Sequence, residues 1–160
     1  MLTPGGHDVP SLGDVCVRAS GKAEDAEPDD LDALVLCGAT IWERGDAPDL
    51  SAPVRRFVAV GRPVAGICDA TVALGRIALL DDRTHTGNHP GQLRDMVPDY
   101  RGAALYRNQP RAVRDRGVIT ASGAASVSFA REIQQAVGLG SSGLVDYLDM
   151  YGNEHRAAAG

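Results

Sequence analysis

The sequence predicts an α/β sandwich, in which a mostly parallel sheet lies between helices. Two short apolar runs, at residues 32–37 and 64–67, are each followed by a segment of helical length. Strands and helices that alternate in this way are joined by crossover connections, which make the strands parallel. With 160 residues, of which 44% are hydrophobic, the chain has the size of one domain. We therefore expect one domain, with an α/β body over residues 1–138 and a C-terminal helix and flexible tail over residues 139–160.

The remaining elements follow from local periodicity and from residues that start or end helices. Ser51 and Pro53 predict a helix that runs to Val60, with Ser51 as its N-cap. Ser126 is the predicted N-cap of a later helix, whose apolar residues recur at helical spacing. The same reasoning gives helices over 70–80 and 92–97, a strand over 83–86, and extended segments over 103–106 and 117–120.

Composition and charge exclude several classes of protein. The formal net charge of −5 argues against nucleic-acid binding. No apolar run is long enough to cross a bilayer, and the N-terminus lacks a signal-peptide pattern, so we expect a cytoplasmic protein without membrane contacts. Cys16, Cys37 and Cys68 are odd in number and widely spaced, which argues against a disulfide framework and against a Cys-x-x-Cys metal or redox pair. We expect neither a metal nor a cofactor.

The segment from Val64 to Thr71 is the main candidate for a chemical site. A buried strand runs into Cys68, with Gly66 and Ala70 two positions to either side, and a helical segment follows. A sharp strand-to-helix turn, here called the elbow, exposes the side chain at the turn and leaves backbone N–H groups unpaired. Cys68 is therefore the candidate nucleophile, although a buried structural cysteine fits the same octapeptide.

The turn after the preceding strand can complete the site. Gly38-Ala39 and Cys68-Asp69 both follow strands, and the carboxyl ends of neighbouring parallel strands face a common crevice. The N–H groups of Asp69 and Ala39 are then the predicted donors to an oxyanion. A helix N-terminus favours the thiolate of Cys68, whereas the adjacent carboxylate of Asp69 opposes it.

Five short runs extend this pattern beyond the elbow: residues 64–71, 79–81, 84–88, 100–102 and 119–123. Together with Gly38-Ala39 and Trp42, they resemble the DJ-1/PfpI family of the class I glutamine amidotransferase-like superfamily. The resemblance covers roughly residues 6–138. It implies a flavodoxin-like sheet, a reactive cysteine at Cys68 and, as is frequent in that family, a homodimer.

The chain also departs from the family pattern. Family members usually open with a strand and a helix that carries a glutamate bonded to the cysteine, whereas residues 1–9 resemble their second strand. We therefore expect a gene start assigned too late or a truncated product. Cys37 replaces the usual proline, Ala39 replaces a glycine, and Ser128 stands where many relatives have a glutamate. Glu43 is a candidate substitute for the missing acid, although a solvent-facing loop residue is the favoured interpretation.

The resemblance suggests two polar neighbours for the cysteine. By family position, Asn88 is a polar residue of the pocket, and His85 is the alternative as a general base. Because side chains alternate along a strand, only one of the two can face Cys68, and we favour Asn88. PfpI-type peptidases have a histidine directly after the cysteine, where this chain has Asp69, so we expect no peptidase activity. Glu154 and His155 do not resemble the late members of an amidotransferase triad.

Three functions compete at this stage. The first is a cysteine-dependent enzyme on small molecules, by amidotransferase-like hydrolysis or by chemistry on glyoxals and glycation products. The second is a redox-responsive stress or chaperone-like protein that uses the same cysteine. The third is a truncated, non-catalytic family member.

Overall fold

Four two-residue strands form the N-terminal part of the structure, a computed structural model that describes residues 1–153. They are β1 (Leu2–Thr3), β2 (Val9–Pro10), β3 (Cys16–Val17) and β4 (Gly21–Lys22). β1 pairs in parallel with β4, and β2 pairs in antiparallel fashion with β3. The predicted end of the tail and Glu154-His155 lie outside the described residues.

The main sheet has four strands in the spatial order β5-β6-β8-β7. They are β5 (Leu34–Leu36), β6 (Val64–Ile67), β7 (Val113–Asp115) and β8 (Val118–Ala121). β5, β6 and β8 run parallel, with Leu34 opposite Val64 and Val64 opposite Val118, whereas β7 is antiparallel to β8. The mostly parallel sheet predicted from the sequence is thereby confirmed, and the strands before and at the elbow are neighbours.

Five α-helices accompany the strands in the described residues: α1 (Ser51–Ala59), α2 (Ala70–Arg76), α3 (Gln92–Met96), α4 (Ser126–Ala136) and α5 (Ser142–Asn153). Phe57 of α1 and Leu74 of α2 are fully buried in one core with Val64 of β6. On the opposite face of the sheet, Phe129 of α4 packs with Ile119 of β8. Because successive side chains of a strand point to opposite faces, β6 and β8 contribute to both cores. The layers are therefore helix, sheet and helix.

Some boundaries differ from the predictions. Ser51 and Ser126 are the first residues of α1 and α4 and not their N-caps, because Leu50 and Ala125 hold those positions. The Ser51 N–H donates to the Asp49 carboxylate at 2.8 Å. The predicted strand at 83–86 forms only a single bridge, between His85 and Tyr106, and most of 103–106 belongs to a 3₁₀ turn, Gly102–Leu105. β7 was not predicted at all. No helix within residues 1–153 combines the length and apolarity needed to cross a membrane.

Candidate active site

Cys68 forms the elbow between β6 and α2. Its backbone is left-handed, with φ of 59°, a conformation that is uncommon outside glycine. Its N–H donates to the Ala121 carbonyl at 2.9 Å, and its own carbonyl accepts from the Thr71 N–H at 3.1 Å and the Thr71 hydroxyl at 2.8 Å. Such a conformation costs about 1–3 kcal/mol, and these bonds to β8 and α2 hold it in place. The cysteine as a whole residue is half-buried.

Two glycines lie against the Cys68 side chain. A Cβ built on Gly38 would lie 2.7 Å from the Cys68 Cβ and 3.5 Å from its sulfur. A Cβ built on Gly123 would lie 3.2 Å from the same sulfur. The first distance is shorter than non-bonded carbons tolerate, so the turn after β5 approaches the elbow as main chain alone. The sequence reasoning did not count Gly123 as a site residue, although the glycine ends a run that carried the family resemblance.

Asn88 joins the cysteine to a small polar network. Its amide nitrogen lies 3.4 Å from the Cys68 Sγ and donates to the Asp69 carboxylate at 2.8 Å. Its amide oxygen accepts from the Gly123 N–H at 3.0 Å, which fixes which way the amide points. Asn88, favoured over His85 from the sequence, is thus the side chain that the structure brings to the sulfur.

Gln92 is a site residue that the sequence did not reveal. It lies at the start of α3, and its amide nitrogen donates to the same Asp69 oxygen as Asn88, again at 2.8 Å. Two neutral amides therefore fix the orientation of the Asp69 carboxylate, and neither of them neutralises its charge. No spacing pattern in the sequence links Gln92 to Asp69, because the two residues are 23 positions apart.

The backbone donors proposed for an oxyanion are on two sides of the cysteine. Asp69 directly precedes α2, and Ala39 lies beyond Gly38 in the turn after β5. The Ala39 carbonyl accepts from the Trp42 N–H at 3.1 Å, which closes the turn. Within the part of the chain that the structure describes, neither the Asp69 N–H nor the Ala39 N–H donates a hydrogen bond. Glu43, in the same turn, is exposed.

His85 is fully buried and has partners of its own. Its Nδ1 lies 2.7 Å from the Arg83 carbonyl, so this nitrogen carries the proton, and its Nε2 lies 2.5 Å from the Tyr100 hydroxyl. Burial lowers the pKa of His85 from its ordinary value of 6.5 and raises the pKa of Tyr100 to about 12. A neutral ring with both nitrogens occupied does not serve Cys68 as a base, which corrects the alternative role given to His85.

No group of three or more histidine, cysteine, aspartate or glutamate side chains in residues 1–153 is arranged to hold a metal ion. Two cavities, of about 580 and 140 Å³, are lined by residues other than Cys68. The larger one lies behind Trp42, between α1 and α2, with Arg55 and Arg76 at its wall. Neither of these two cavities therefore opens onto Cys68.

Comparison with known proteins identifies the family. The model of the DJ-1/PfpI family matches residues 2–136, which include the elbow, Asn88 and the Gly123 turn. The chain belongs to the DJ-1/PfpI family. A solved structure of a DJ-1 superfamily protein from Agrobacterium tumefaciens is 45% identical, with a TM-score of 0.89, over 96% of this chain and 81% of that one. The chain therefore has the flavodoxin-like fold that the resemblance implied.

More distant family members agree with this assignment. A thiJ/pfpI family protein from Bacillus anthracis is 27% identical, with a TM-score of 0.75, over 91% of this chain and 69% of that one. A Bacillus subtilis protein named an uncharacterized protease is 29% identical over 129 residues, which are 78% of this chain and 59% of the relative. The chain thus spans less than two thirds of that relative's length.

Proposed function

We propose that this family member is a cysteine-dependent enzyme that acts on small carbonyl or amide compounds, with Cys68 as its nucleophile. The observation that carries the proposal is the left-handed elbow, which holds the half-buried Cys68 with its sulfur between two glycines and beside the Asn88 amide. Strained backbone persists where the surroundings over-determine it, and such places are frequently catalytic. A merely structural cysteine does not need this conformation.

Cys68, Asp69 and Ala39 have separate roles in the proposed reaction. The Cys68 thiolate attacks the carbonyl carbon, the C–S bond forms, and the carbonyl electron pair moves onto oxygen. The unpaired N–H groups of Asp69 and Ala39 are proposed to receive that oxyanion. With a 2-oxoaldehyde such as methylglyoxal, the oxyanion takes a proton from water to give a hemithioacetal. A proton then moves through solvent from the former aldehyde carbon to the neighbouring carbonyl carbon, and water hydrolyses the resulting thioester to a 2-hydroxy acid and the free thiol. With an amide the oxyanion collapses, the amine leaves with a proton from water, and a second water hydrolyses the thioester to return the thiolate.

Asn88 is proposed to position the sulfur. Its amide N–H points at Sγ from 3.4 Å, so it favours the charged thiolate by hydrogen bonding without removing a proton itself. The network through Asp69 and Gly123 fixes the amide in that orientation. Peptide hydrolysis is not expected despite the name of the Bacillus subtilis relative, because His85 has both ring nitrogens bonded elsewhere and Asp69 follows the cysteine.

The test compares the wild-type chain with Cys68→Ser, using methylglyoxal and a set of small anilide amides as substrates. We expect consumption of at least one of them by the wild type and loss of at least about a hundredfold in rate on substitution, since hydroxyl is a far weaker nucleophile. Cys16→Ser is the matched control and should keep the wild-type rate. Equal rates in Cys68→Ser and wild type, or no turnover of any substrate by the wild type, would contradict the proposal.

Alkylation provides a second readout that needs no substrate. Trypsin releases the three cysteines in separate peptides, residues 1–18, 23–44 and 57–76. The last peptide is not cut after Arg62, because Pro63 follows it. Iodoacetamide labelling of peptide 57–76 across pH should begin at lower pH than labelling of the exposed Cys16. Labelling of Cys68 only at higher pH than Cys16 would contradict an activated thiolate.

A further inference from the structure

The larger of the two cavities is a pocket between α1 and α2, here called the Trp42 pocket. Its lining comes from the turn around Trp42, from α1 and α2, and from Met96 and Pro98. Its volume is about 580 Å³, which lies within the range of small-molecule binding sites. Neither Cys68 nor Asn88 lines it, so the pocket is separate from the proposed active site and has no role in the proposed reaction.

Much of the lining of the Trp42 pocket is apolar. Trp42 and Val54 of α1 are among its residues that are more than nine-tenths buried. Ala73, Ile77 and Met96 are half-buried, so they present apolar surface that a ligand can cover. Removing such surface from water is favourable, which suits an alkyl or aryl group in this pocket.

Arg55 of α1 and Arg76 of α2 line the same pocket without an acidic partner. Within residues 1–153, no carboxylate oxygen lies within 4.0 Å of either guanidinium group. Arg76 donates to the carbonyls of Trp42 at 2.7 Å and Arg44 at 3.1 Å. Arg55 donates to the Ile77 carbonyl at 3.5 Å. These acceptors are neutral, so both positive charges remain uncompensated.

The charge of the pocket differs in sign from that of the whole chain. The chain has 21 acidic and 16 basic side chains, so it does not lack acids for pairing. In the described part of the chain, Asp49 is the one acidic residue that lines the pocket, and its carboxylate accepts from the Ser51 N–H at 2.8 Å. Two cations and one anion leave the pocket with a net positive charge, which favours a ligand with a single negative charge.

We propose that the Trp42 pocket binds a small monocarboxylate with an alkyl or aryl tail, such as a medium-chain fatty acid. Arg55 and Arg76 provide the positive charge, because guanidinium N–H groups match the two oxygens of a carboxylate. In the described residues only one nitrogen of each guanidinium makes hydrogen bonds, so donors remain for a ligand. The tail lies against the apolar lining. This site goes beyond the proposed function, since it requires neither the Cys68 thiol nor turnover.

The fluorescence of Trp42 reports directly on this pocket, because Trp42 is the only tryptophan of the chain. The experiment titrates the full chain with octanoate, and with octan-1-ol and acetate as probes that lack the charge or the tail. We expect octanoate to change the emission saturably, with a Kd of about 1 mM or lower, and the other two probes to bind at least about tenfold more weakly. Equilibrium dialysis of the same mixtures counts bound octanoate independently of the emission.

Arg55→Gln tests the recognition of the charge. Arg55 is exposed, and glutamine is also a good helix former, so the fold should persist. We expect octanoate to bind about tenfold more weakly, which corresponds to the loss of one charged hydrogen-bonded pair. Arg18→Gln removes the same charge away from the pocket and should keep the wild-type Kd, as should Cys68→Ser. Ala73→Leu retains both arginines but fills the apolar space, so it should also weaken binding.

Four results would each overturn the proposal. They are no saturable binding of octanoate, equal Kd values for Arg55→Gln and Arg18→Gln, octan-1-ol binding as tight as that of octanoate, and octanoate binding only after dilution of the protein. The last result would mean that a second copy of the chain covers the pocket. Loss of octanoate binding in Cys68→Ser would assign the ligand to the sulfur and would also contradict the site. These measurements need no turnover, so this site and the proposed function fail independently.

Discussion

At the scale of single residues, the decisive arrangement is the sharing of one amide among three partners. The nitrogen of Asn88 serves both the Cys68 sulfur and the Asp69 carboxylate, while its oxygen is held by the Gly123 N–H. Gln92 supports the same carboxylate from α3. These two amides hold the Asp69 carboxylate beside the sulfur. The amide group of Asn88 lies between that carboxylate and the Cys68 sulfur and donates to both.

Replacing Asn88 by aspartate tests this arrangement. Asn88→Asp removes both amide donors and adds a carboxylate between the sulfur and Asp69, so the thiolate should form less readily. We expect the rate at which iodoacetamide labels peptide 57–76 at pH 7 to fall about tenfold, because an added negative charge beside the sulfur disfavours the thiolate that reacts. Asn108→Asp, which adds the same charge at an exposed position, should leave the rate unchanged. An equal rate in Asn88→Asp and wild type would show that the amide does not act on the sulfur.

The sequence could predict only part of this site. Cys68, Asp69, Ala39 and Asn88 were predicted as site residues because the elbow and the family resemblance mark them. Gln92 was missed, since its role depends on a bond to a residue 23 positions away. His85 was placed near the cysteine by its position in the chain, but burial and the Tyr100 hydroxyl bind its ring elsewhere. Hydrogen-bond partners from distant segments leave no periodic pattern in a sequence.

At the scale of secondary structure, the turn after β5 and the elbow after β6 have to be considered together. Gly38 allows the main chain of that turn to approach the Cys68 side chain. Gly66 in β6 allows a similar close approach to α2, because an added Cβ would lie 2.8 Å from Leu74. The small residues around Cys68 are therefore required by the packing of β5, β6 and α2. The sequence had indicated this for Gly66, which confirms the reasoning about the tight turn.

An alanine at Gly38 measures how closely these elements fit. Gly38→Ala puts a methyl group 2.7 Å from the Cys68 Cβ and 3.2 Å from the Ile67 carbonyl, so the backbone has to move. We expect the free energy of unfolding in urea to fall by about 1–3 kcal/mol and Cys68 labelling to slow. Gly45→Ala is the matched control, because nothing lies within 4 Å of its added Cβ, and it should change stability by less than about 0.5 kcal/mol. Equal stability of the two variants would contradict the close approach.

Strands and helices were predicted unequally well. β5, β6 and β8 and helices α1, α2 and α4 follow from apolar runs and helical spacing, which reflect burial against the two cores. β7 was missed because it is short and polar, with only Val113 buried. The available clue was Arg116-Gly117, whose two positive φ angles, 46° and 77°, make the tight connection into β8. The segment at 83–86 looked like a strand but pairs at one residue only.

At the scale of the whole molecule, the fully buried His85 couples stability to pH. It lies edge-on to both Tyr100 and Tyr106, with ring centroids 5.7 and 5.6 Å away, and it ties residues 83–86 to the segment around 100–106. Burial lowers its pKa below 6.5, whereas the unfolded chain has the ordinary value of about 6.5. As pH falls below about 6.5, His85 takes up a proton more readily in the unfolded chain than in the folded chain. The contribution of His85 to the free energy of unfolding is therefore complete above that pH and is lost on acidification.

Urea denaturation at pH 7.5 and pH 5.5 checks this coupling. We expect the wild type to lose stability on acidification, with His85 contributing at most about 1.4 kcal/mol per pH unit. His85→Gln cannot titrate and should show a smaller loss between the two pH values, whatever its stability at pH 7.5. The exposed His89 provides the control, since His89→Gln should keep the wild-type dependence. The same dependence in His85→Gln and wild type would contradict a titrating buried histidine.

The two glycines against the sulfur also limit how the site can diversify. Where a reactive atom is bordered by main chain, substitutions cannot reshape that border by degrees, because the smallest available change at Gly38 already collides with the elbow. Under the proposed function, altered substrate preference has to come from side chains rather than from these two glycines, and the Asn88 side chain is the one bonded to the sulfur. Mutagenesis libraries designed to test this should therefore randomise residues on the Asn88 side and leave Gly38 and Gly123 untouched.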